Sequence, residues 1–205
     1  MNASTGPKRM SREARRAALL DAAADLLRAP DPTPLSFESI AVAANVSPTL
    51  PYKYFDSVDQ IAAELHRHLV GPIDEQTEAI VAEPDRTLDD KVRATLHLWC
   101  DTLRRDGMLL LRLSDDVAHP SLRRAIDARR ERSVHVWAEA IERDGGLDAP
   151  TARLVAGSIT GGSIAALRRW IVDRLDREQM VETFVTLARA QLDAVATSER
   201  ARSAP

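Results

Sequence analysis

The sequence predicts an all-helical protein, and three observations carry that prediction. Ala, Leu and Arg, which are strong helix formers, dominate the 205 residues. Glycine is scarce, with eight residues, and no stretch alternates apolar and polar residues between turn signals as a strand would. Apolar residues make up 44% of the chain and charged residues 29%, so we expect an ordinary globular core.

The same survey excludes several classes of protein. Cys100 is the single cysteine, so we expect no internal disulfide and no cysteine-rich zinc site. The N-terminus is polar and basic, and no apolar run approaches the ~20 residues that span a bilayer, which predicts a cytoplasmic protein without a membrane segment. His66 and His68 point to different sides of a helix, and His97 with Cys100 lacks further ligands. We therefore expect no metal, no cofactor and no enzyme.

The first helix is predicted over 12–28. Ser11 precedes it as an N-cap, and Ala and Leu residues recur along it at helical spacing. Three prolines within 29–34 end it, because proline cannot continue a helix. The first 55 residues hold seven Lys and Arg against five Asp and Glu. Three of these basic residues share one face near the helix start: Arg12, Arg15 and Arg16.

Two short helices separated by a four-residue break are predicted next, over 36–55. Ser36 caps the first, and Ser47 followed by Pro48 signals the start of the second. The break needs a residue with positive φ, and Asn45 tolerates that conformation best after glycine. Two short helices joined by a tight turn after a longer helix describe a tri-helical helix-turn-helix unit.

This unit predicts a DNA-reading surface. Both tyrosines of the chain and one of its three phenylalanines crowd into 52–55, beside Lys53. The turn after Ser47 offers small and apolar groups to a DNA groove, while a phenol and an ammonium suit the flanking phosphates. The candidate DNA contacts are Ser36, Ser47, Pro48, Thr49, Leu50, Tyr52, Lys53 and Tyr54. The alternative is a helical hairpin that packs inside a larger bundle.

The residues of this region resemble the DNA-binding domain of TetR-type transcriptional regulators. The matching pieces are LLDAAADLL at 19–27, SFESIAVAANVSPTLPYKYF at 36–55 and SVDQIAAEL at 57–65. The resemblance implies a helix-turn-helix domain over 1–56, with 1–10 as a flexible arm. It further implies a helical ligand-binding and dimerisation domain over 57–197.

Three residues depart from the family pattern. Asn45 replaces the usual turn glycine, at little cost. Pro51 follows Ser47 by four residues, so it removes a backbone hydrogen bond and predicts a distorted first turn or a helix that begins nearer Pro51. Val58 stands where the family usually carries a phosphate-contacting lysine, so we expect Lys53 or the N-terminal arginines to take over that contact.

Longer amphipathic helices follow, near 57–82, 87–106, 108–116, 120–143, 148–173 and 177–196, with a frayed tail over 198–205. Three glycines lie within 148–173, which indicates close approach of another backbone. The resemblance implies that the last two helices pair with their copies across a two-fold axis, although an intramolecular core is the alternative. The predicted interface residues are Ile159, Gly162, Ala166, Trp170, Phe184, Ala188 and Leu192.

The middle helices predict an apolar pocket. Trp99 and Trp137 lie on apolar stripes of two different helices and are expected to face a common cavity. Plain core packing is the strong alternative for both tryptophans. The candidate ligand contacts are His97, Trp99, Cys100, Leu103, Met108, Arg112, Ser133 and Trp137, with His135 as a further polar candidate.

The function predicted from these features is a ligand-responsive DNA-binding regulator. By resemblance it is a repressor that binds a palindromic operator as a homodimer and is released by a small apolar or aromatic effector. A helical enzyme or small-molecule carrier is a second class, but the sequence shows no convergent polar set in the pocket. An adaptor that uses the helix-turn-helix for protein contacts, or a regulator without a ligand, remains open.

Overall fold

The computed structural model describes residues 10–115 and 119–203, and the regular secondary structure of these residues is all helical, without a strand. The helices are α1 Arg12–Arg28, α2 Phe37–Ala43, a 3-10 helix Pro51–Lys53, α3 Val58–Ala82, α4 Leu88–Asp115, α5 Pro120–Gly145, α6 Ala149–Asp173 and α7 Arg177–Ser203. The predicted all-helical class is therefore confirmed. The proposed N-terminal arm over 1–10 falls, apart from Met10, outside the described residues.

Side-chain caps fix where several helices begin. Ser11 accepts a hydrogen bond from the amide of Ala14 at 3.1 Å, and Ser36 forms a capping box with Ser39. Ser57 caps α3 by accepting from the amide of Gln60 at 3.1 Å. These caps satisfy amides that would otherwise lack partners in the first helical turn. The predictions for Ser11 and Ser36 are confirmed.

The buried side chains form two hydrophobic cores. The N-terminal core joins α1, α2 and the first turns of α3, and it includes Leu109, Leu113 and Leu122 from α4 and α5. The C-terminal core joins α4, α5, α6 and α7 around Trp137 and Phe184. Because α4 supplies side chains to both cores, it connects the N-terminal part of the molecule to the rest.

Helix α4 is one helix, whereas the sequence predicts a break at Gly107. A Cβ atom added at Gly107 would lie 3.1 Å from Cδ1 of Ile171, so the glycine lets α6 approach α4 closely. The helix propensity lost at one glycine, roughly 1 kcal/mol, is small beside the packing on both sides of this residue. Gly107 is therefore a packing position and not a helix end.

Helix α7 extends to Ser203, where the sequence predicts a frayed tail over 198–205. The last turns are supported from within, since Ser198 donates to the carbonyl of Ala194 at 3.0 Å and Arg200 donates to that of Ala196 at 3.1 Å. Residues 204 and 205 lie outside the described residues. Within the described ranges, no helix is both long and apolar enough to cross a membrane.

Candidate DNA-reading and effector sites

The turn of the helix-turn-helix unit has the predicted backbone. Asn45 adopts φ 51°, in the left-handed region that asparagine tolerates better than most residues. The amide of Val46 then donates to the carbonyl of Ala41 at 3.0 Å, which closes the turn onto α2. Val46 packs at the edge of the N-terminal core and attaches the turn to it.

The second helix of the unit is short because of Pro51. The sequence predicts that Ser47 caps it, but the 3-10 helix begins at Pro51, with Leu50 at the N-cap and no side-chain cap. The Ser47 hydroxyl lies instead 3.4 Å from the hydroxyl of Thr49. Pro51 lacks an amide hydrogen and is fully buried, so it suits a first helical position. The predicted shift of the helix toward Pro51 is confirmed, and the capping role of Ser47 is wrong.

The surface of this turn is open to solvent. Pro48, Thr49 and Lys53 are exposed, and Tyr52 has 66% of its surface accessible. Within the described residues the ammonium of Lys53 forms no ion pair. The ring of Tyr52 packs at 4.3 Å from that of Phe37, which fixes the phenol without burying it. Leu50 and Tyr54 are half-buried, and Ser36 and Ser47 are exposed.

Arg16 has a structural role that the sequence did not indicate. Its guanidinium donates to both carboxylate oxygens of Glu64 and to the carbonyl of Tyr54, and it lies 4.2 Å from the ring centre of Phe55. The hydrogen bond with Glu64 raises the pKa of Arg16 above its ordinary value. Arg16 therefore holds the helix-turn-helix unit, which we call the reading unit, against α3, and the prediction that it takes over a phosphate contact is wrong. Arg12 and Arg15 lie nearer the helix start, without this anchorage.

A cavity of about 280 Å³ lies between α3, α4, α5 and α6. Apolar and aromatic side chains cover most of its wall, including Trp99, Trp137 and Phe184. Its size is near the lower end of the roughly 300–1,000 Å³ that small-molecule sites occupy. Trp99 and Trp137 both line this cavity, as the sequence predicts.

Four of the predicted ligand contacts line this cavity: Trp99, Leu103, Ser133 and Trp137. The other predicted contacts do not line it: His97, Cys100, Met108, Arg112 and the further candidate His135. Cys100 is fully buried in the C-terminal core, where burial raises the pKa of its thiol to about 11. Met108 is more than half exposed, on the outside of α4. His135 is exposed and pairs with Glu139 at 3.2 Å.

His97 and Arg112 have partners elsewhere in the chain. The Nδ1 atom of His97 lies 3.2 Å from Nε of Arg177, which joins α4 to the start of α7. Arg112 donates to the carbonyl of Leu27 and, at 2.7 Å, to that of Ala29. It therefore binds the C-terminal end of α1 and faces away from the cavity. The predicted ligand roles of both residues are wrong because helical position alone does not reveal which neighbour a side chain meets.

Several polar residues of the cavity wall are not evident from the sequence. Arg129 donates from Nε to both oxygens of Asp74 at 2.9 Å, and its guanidinium lies 4.7 Å from the ring centre of Trp99. His66 is buried, and burial lowers the pKa of its imidazole to about 4, with help from the charge of Arg129. Their only sequence signal is placement on the inward faces of α3 and α5.

Three threonine hydroxyls also belong to this wall. Thr77 on α3, Thr95 on α4 and Thr160 on α6 line the cavity, and each side chain is buried. None of the three hydroxyl oxygens has a hydrogen-bond partner among the described residues. The polar set that the sequence did not reveal is thus contributed by three separate helices.

The two halves of the molecule are also joined at the start of α3. The carboxylate of Asp59 accepts hydrogen bonds from the amides of Ser121, at 2.9 Å, and Leu122, at 3.2 Å, in the first turn of α5. Burial by itself raises the pKa of Asp59, but these hydrogen bonds outweigh it and the pKa lies below its ordinary value. These hydrogen bonds attach the first turn of α3 to the first turn of α5.

The predicted interface residues of α6 and α7 face inward. Ile159, Phe184 and Ala188 are buried in the C-terminal core, and Ala166, Trp170 and Leu192 pack against it. A Cβ atom added at Gly162 would lie 3.1 Å from Phe184, so this glycine serves the contact of α6 with α7. Their packing matches the intramolecular alternative, and an interface that uses them stays a prediction.

A different face of α6 is open. A Cβ atom added at Gly157 or Gly161 would meet no atom of the described residues within 4 Å. Small and apolar side chains recur along this face at helical spacing, and Leu187 on α7 continues it with 54% of its surface exposed. The members on α6 are Leu154, Ser158, Gly161, Ala165 and Val172, all exposed. We refer to these five residues with Leu187 as the open face.

The described residues contain no group of three or more His, Cys, Asp or Glu side chains that is arranged to hold a metal ion.

No family model matches the chain. It is similar to the HTH-type transcriptional activator FasR of Mycolicibacterium smegmatis (strain ATCC 700084 / mc(2)155), with 28% identity over 185 residues that span 88% of this chain and 84% of FasR.

Solved structures share the fold. A TetR-like transcriptional regulator from Rhodococcus sp. RHA1 superposes with a TM-score of 0.69 and 20% identity, over 90% of this chain and 99% of that one. A TetR-family regulator from Streptomyces coelicolor also gives 0.69, with 22% identity over 93% and 85% of the two chains. The resemblance drawn from 19–65 is therefore confirmed at the level of the fold.

Proposed function

We propose that this chain, which has the fold of the TetR-type regulators, is a DNA-binding transcriptional regulator that responds to a small molecule. The observation that carries the proposal is the exposed turn over 47–54. The turn exposes Pro48 and Thr49 to solvent. Beside them lie the phenol of Tyr52, which packs against Phe37, and the ammonium of Lys53, which pairs with no carboxylate among the described residues. Groups of this kind suit a groove and its flanking phosphates.

The protein acts as a homodimer in this proposal, with the open face as the interface. Exposed small residues on α6 allow the backbones of two copies to approach closely. Two reading units related by a two-fold axis match a palindromic operator whose half-sites are about 34–36 Å apart, or somewhat more. The interface is thus placed on a different side of α6 from the one that the sequence indicated.

The effector binds in the cavity and acts through α3. This helix follows the reading unit directly, and its inner face supplies His66, Val70 and Thr77 to the cavity wall. A ligand that fits one arrangement of α3 better than another shifts the spacing of the two reading units. It changes DNA affinity only by its difference in affinity for the two arrangements.

A gel-shift titration with the DNA upstream of the protein's own gene, at several salt concentrations, tests DNA binding. Lys53→Ala is expected to weaken binding to all sequences alike and to lower the slope against log salt by about one, as loss of one phosphate contact does. Thr49→Ala is expected to change the preference between operator variants.

Arg105→Ala is the matched control, because it removes one exposed charge from α4, outside the turn. Equal effects of the Lys53 and Arg105 changes would overturn the assignment of the reading surface. Absence of any specific shifted band would favour the adaptor or carrier alternatives.

The direction of regulation has two candidates. Repression is the proposal drawn from the resemblance, in which the bound dimer blocks transcription and the effector releases it. Activation is the second candidate, because FasR, a similar protein, is an activator. Transcript levels of the adjacent genes after deletion of this gene separate the two, since a repressor's targets rise and an activator's targets fall.

A further inference from the structure

The cavity wall contains an unusual feature, which is a set of buried hydroxyls without partners. Thr77, Thr95 and Thr160 expose 8%, 8% and 7% of their surfaces, and all three oxygens lack a hydrogen-bond partner within the described residues. A buried polar atom without a partner costs free energy, so native proteins contain few of them. The three oxygens are shielded in this arrangement, but all three threonines line one cavity, so rotation about Cα–Cβ would let each hydroxyl pair with a ligand there.

Other threonines of the chain show that this arrangement is not the ordinary state of a helical threonine. Thr102 is also buried, on α4, but it lies outside the cavity and donates to the carbonyl of Leu98 at 3.2 Å. Thr186 and Thr197 on α7 donate in the same way, to the carbonyls of Glu182 and Asp193, each at 2.8 Å. The cavity threonines alone among these leave their hydroxyls unused.

The charges of the inner wall are already compensated. The guanidinium of Arg129 is paired with Asp74 through Nε and, at 2.7 Å, through Nη2, and it also stacks on Trp99. His66 is neutral at pH 7, since burial lowers its pKa to about 4. A charged group placed among the threonines would lose its hydration without gaining a free counter-ion.

We propose that the cavity binds an uncharged, mainly apolar molecule that carries hydroxyl, carbonyl or ester oxygens, and that Thr77, Thr95 and Thr160 recognise those oxygens. Only the role of this molecule as an effector rests on the proposed function. The remaining charged residues of the lining, Glu78, Arg130, Arg132 and Arg168, are exposed and lie at the mouth. A ligand with an anionic head at that mouth is the competing possibility. Comparing the affinities of neutral, anionic and cationic ligands of equal chain length distinguishes the two.

Three probes of equal chain length test the charge preference. Isothermal titration of the full-length protein at pH 7 with 1-octanol, octanoate and octylammonium is expected to give at least about tenfold tighter binding for 1-octanol, because each charged head must be desolvated. Tighter binding of octanoate would favour an anionic head at the mouth and overturn the proposal. Failure of 1-octanol to bind would overturn it as well.

The triple variant Thr77→Val/Thr95→Val/Thr160→Val tests the role of the hydroxyls, since valine keeps the shape of threonine. It is expected to bind 1-octanol about threefold to tenfold more weakly, the effect of one lost hydrogen bond. Its affinity for 1-chlorooctane, which has the same length without a hydroxyl, should be unchanged. Unchanged binding of 1-octanol would contradict the recognition role.

The melting temperature gives a second, opposite readout. The triple variant without ligand should melt higher than the natural protein, because it buries no unpaired hydroxyl at these positions. Thr102→Val is the control: it loses a satisfied hydrogen bond, so it should not melt higher, and it should bind 1-octanol normally. A triple variant that melts lower would show that the threonines have partners in the ligand-free protein, and this would overturn the proposal.

These results are independent of DNA binding. If 1-octanol binds but leaves the gel shift unchanged, the recognition chemistry holds and the effector part of the proposed function fails. If DNA binds specifically and 1-octanol does not bind the protein, the proposed DNA binding holds and the proposed ligand recognition by the threonines fails.

Discussion

At the scale of single residues, environment decides chemistry more than residue type does. His66 and His135 are both helical histidines, yet the first is buried with its pKa lowered to about 4 and the second is exposed beside Glu139. Burial favours the neutral imidazole of His66, because the charged form would lose its hydration. The two residues therefore affect folding very differently as the pH falls.

His66 is expected to make the protein less stable in mild acid. Its pKa is about 4 in the folded state against an ordinary value of 6.5, so the unfolded chain binds the proton more readily between these two values. The penalty is absent above pH 6.5, grows as the pH falls toward 4 and then stays constant. Between pH 7 and pH 5 it amounts to about 2 kcal/mol. Urea unfolding at the two pH values measures it.

His66→Gln provides the comparison for this prediction. The substitution removes the titrating group, so the stability of the variant should fall by about 2 kcal/mol less than that of the natural protein over the same pH interval. Carboxylates that titrate in both proteins cancel in the difference. Equal losses in the two proteins would mean that His66 is protonated in the folded state at pH 5.

What the sequence reveals about single residues depends on how local their interactions are. The caps at Ser11 and Ser36 are predicted correctly, because a cap bonds to an amide three residues away. The predicted roles of Arg112 and Arg16 are wrong, because their partners at Leu27 and Glu64 are distant in the chain. The cavity threonines are not evident, because an absent partner leaves no pattern in the sequence.

At the scale of helices, α4 connects the molecule, because it contacts α1, α3, α5, α6 and α7. It lines the cavity, contributes Leu109 and Leu113 to the N-terminal core, and anchors α1 through Arg112. Asp106 on the same helix pairs with Arg28 at 2.8 Å. The sequence predicts two shorter helices here, since Gly107 resembles a helix end until its contact with Ile171 is known.

Loss of the Arg112 side chain is expected to loosen this connection. Arg112→Met keeps much of the apolar stem but leaves the carbonyls of Leu27 and Ala29 without their donor, at a cost of about 1–3 kcal/mol. Urea unfolding gives the free energy, and amide hydrogen exchange of α1 locates the loss. Arg105→Met, an exposed position on the same helix, should change stability by about 0.5 kcal/mol or less. Similar losses in both variants would contradict the anchoring role.

At the scale of the whole molecule, a substitution on the open face should affect dimerisation without affecting the folding of the protomer. At Gly161 an added Cβ atom would meet none of the described atoms within 4 Å, and leucine is the better helix former by ~1 kcal/mol, so Gly161→Leu suits the protomer. The protomer should therefore fold normally, whereas the added side chain should keep two copies apart. Sedimentation equilibrium is expected to show a monomer where the natural protein is a dimer.

Gly71→Leu is the control for this prediction. Gly71 lies on α3, whereas the open face lies on α6 and α7, and a Cβ atom added at Gly71 would also meet no described atom within 4 Å. This variant should remain dimeric. A dimeric Gly161→Leu variant would place the interface elsewhere, and a monomeric natural protein would refute the dimer itself.

The shared N-terminal core has a consequence for protein engineering. Leu109, Leu113 and Leu122 complete the packing around α1, although each lies far beyond the predicted boundary at residue 56. A chain cut at that boundary would uncover apolar surface on both fragments, and the fragments would tend to aggregate. A chimaera that transfers the proposed DNA specificity to another regulator of this fold should therefore exchange only the turn over 47–54. It should keep the recipient's own α1 and long helices.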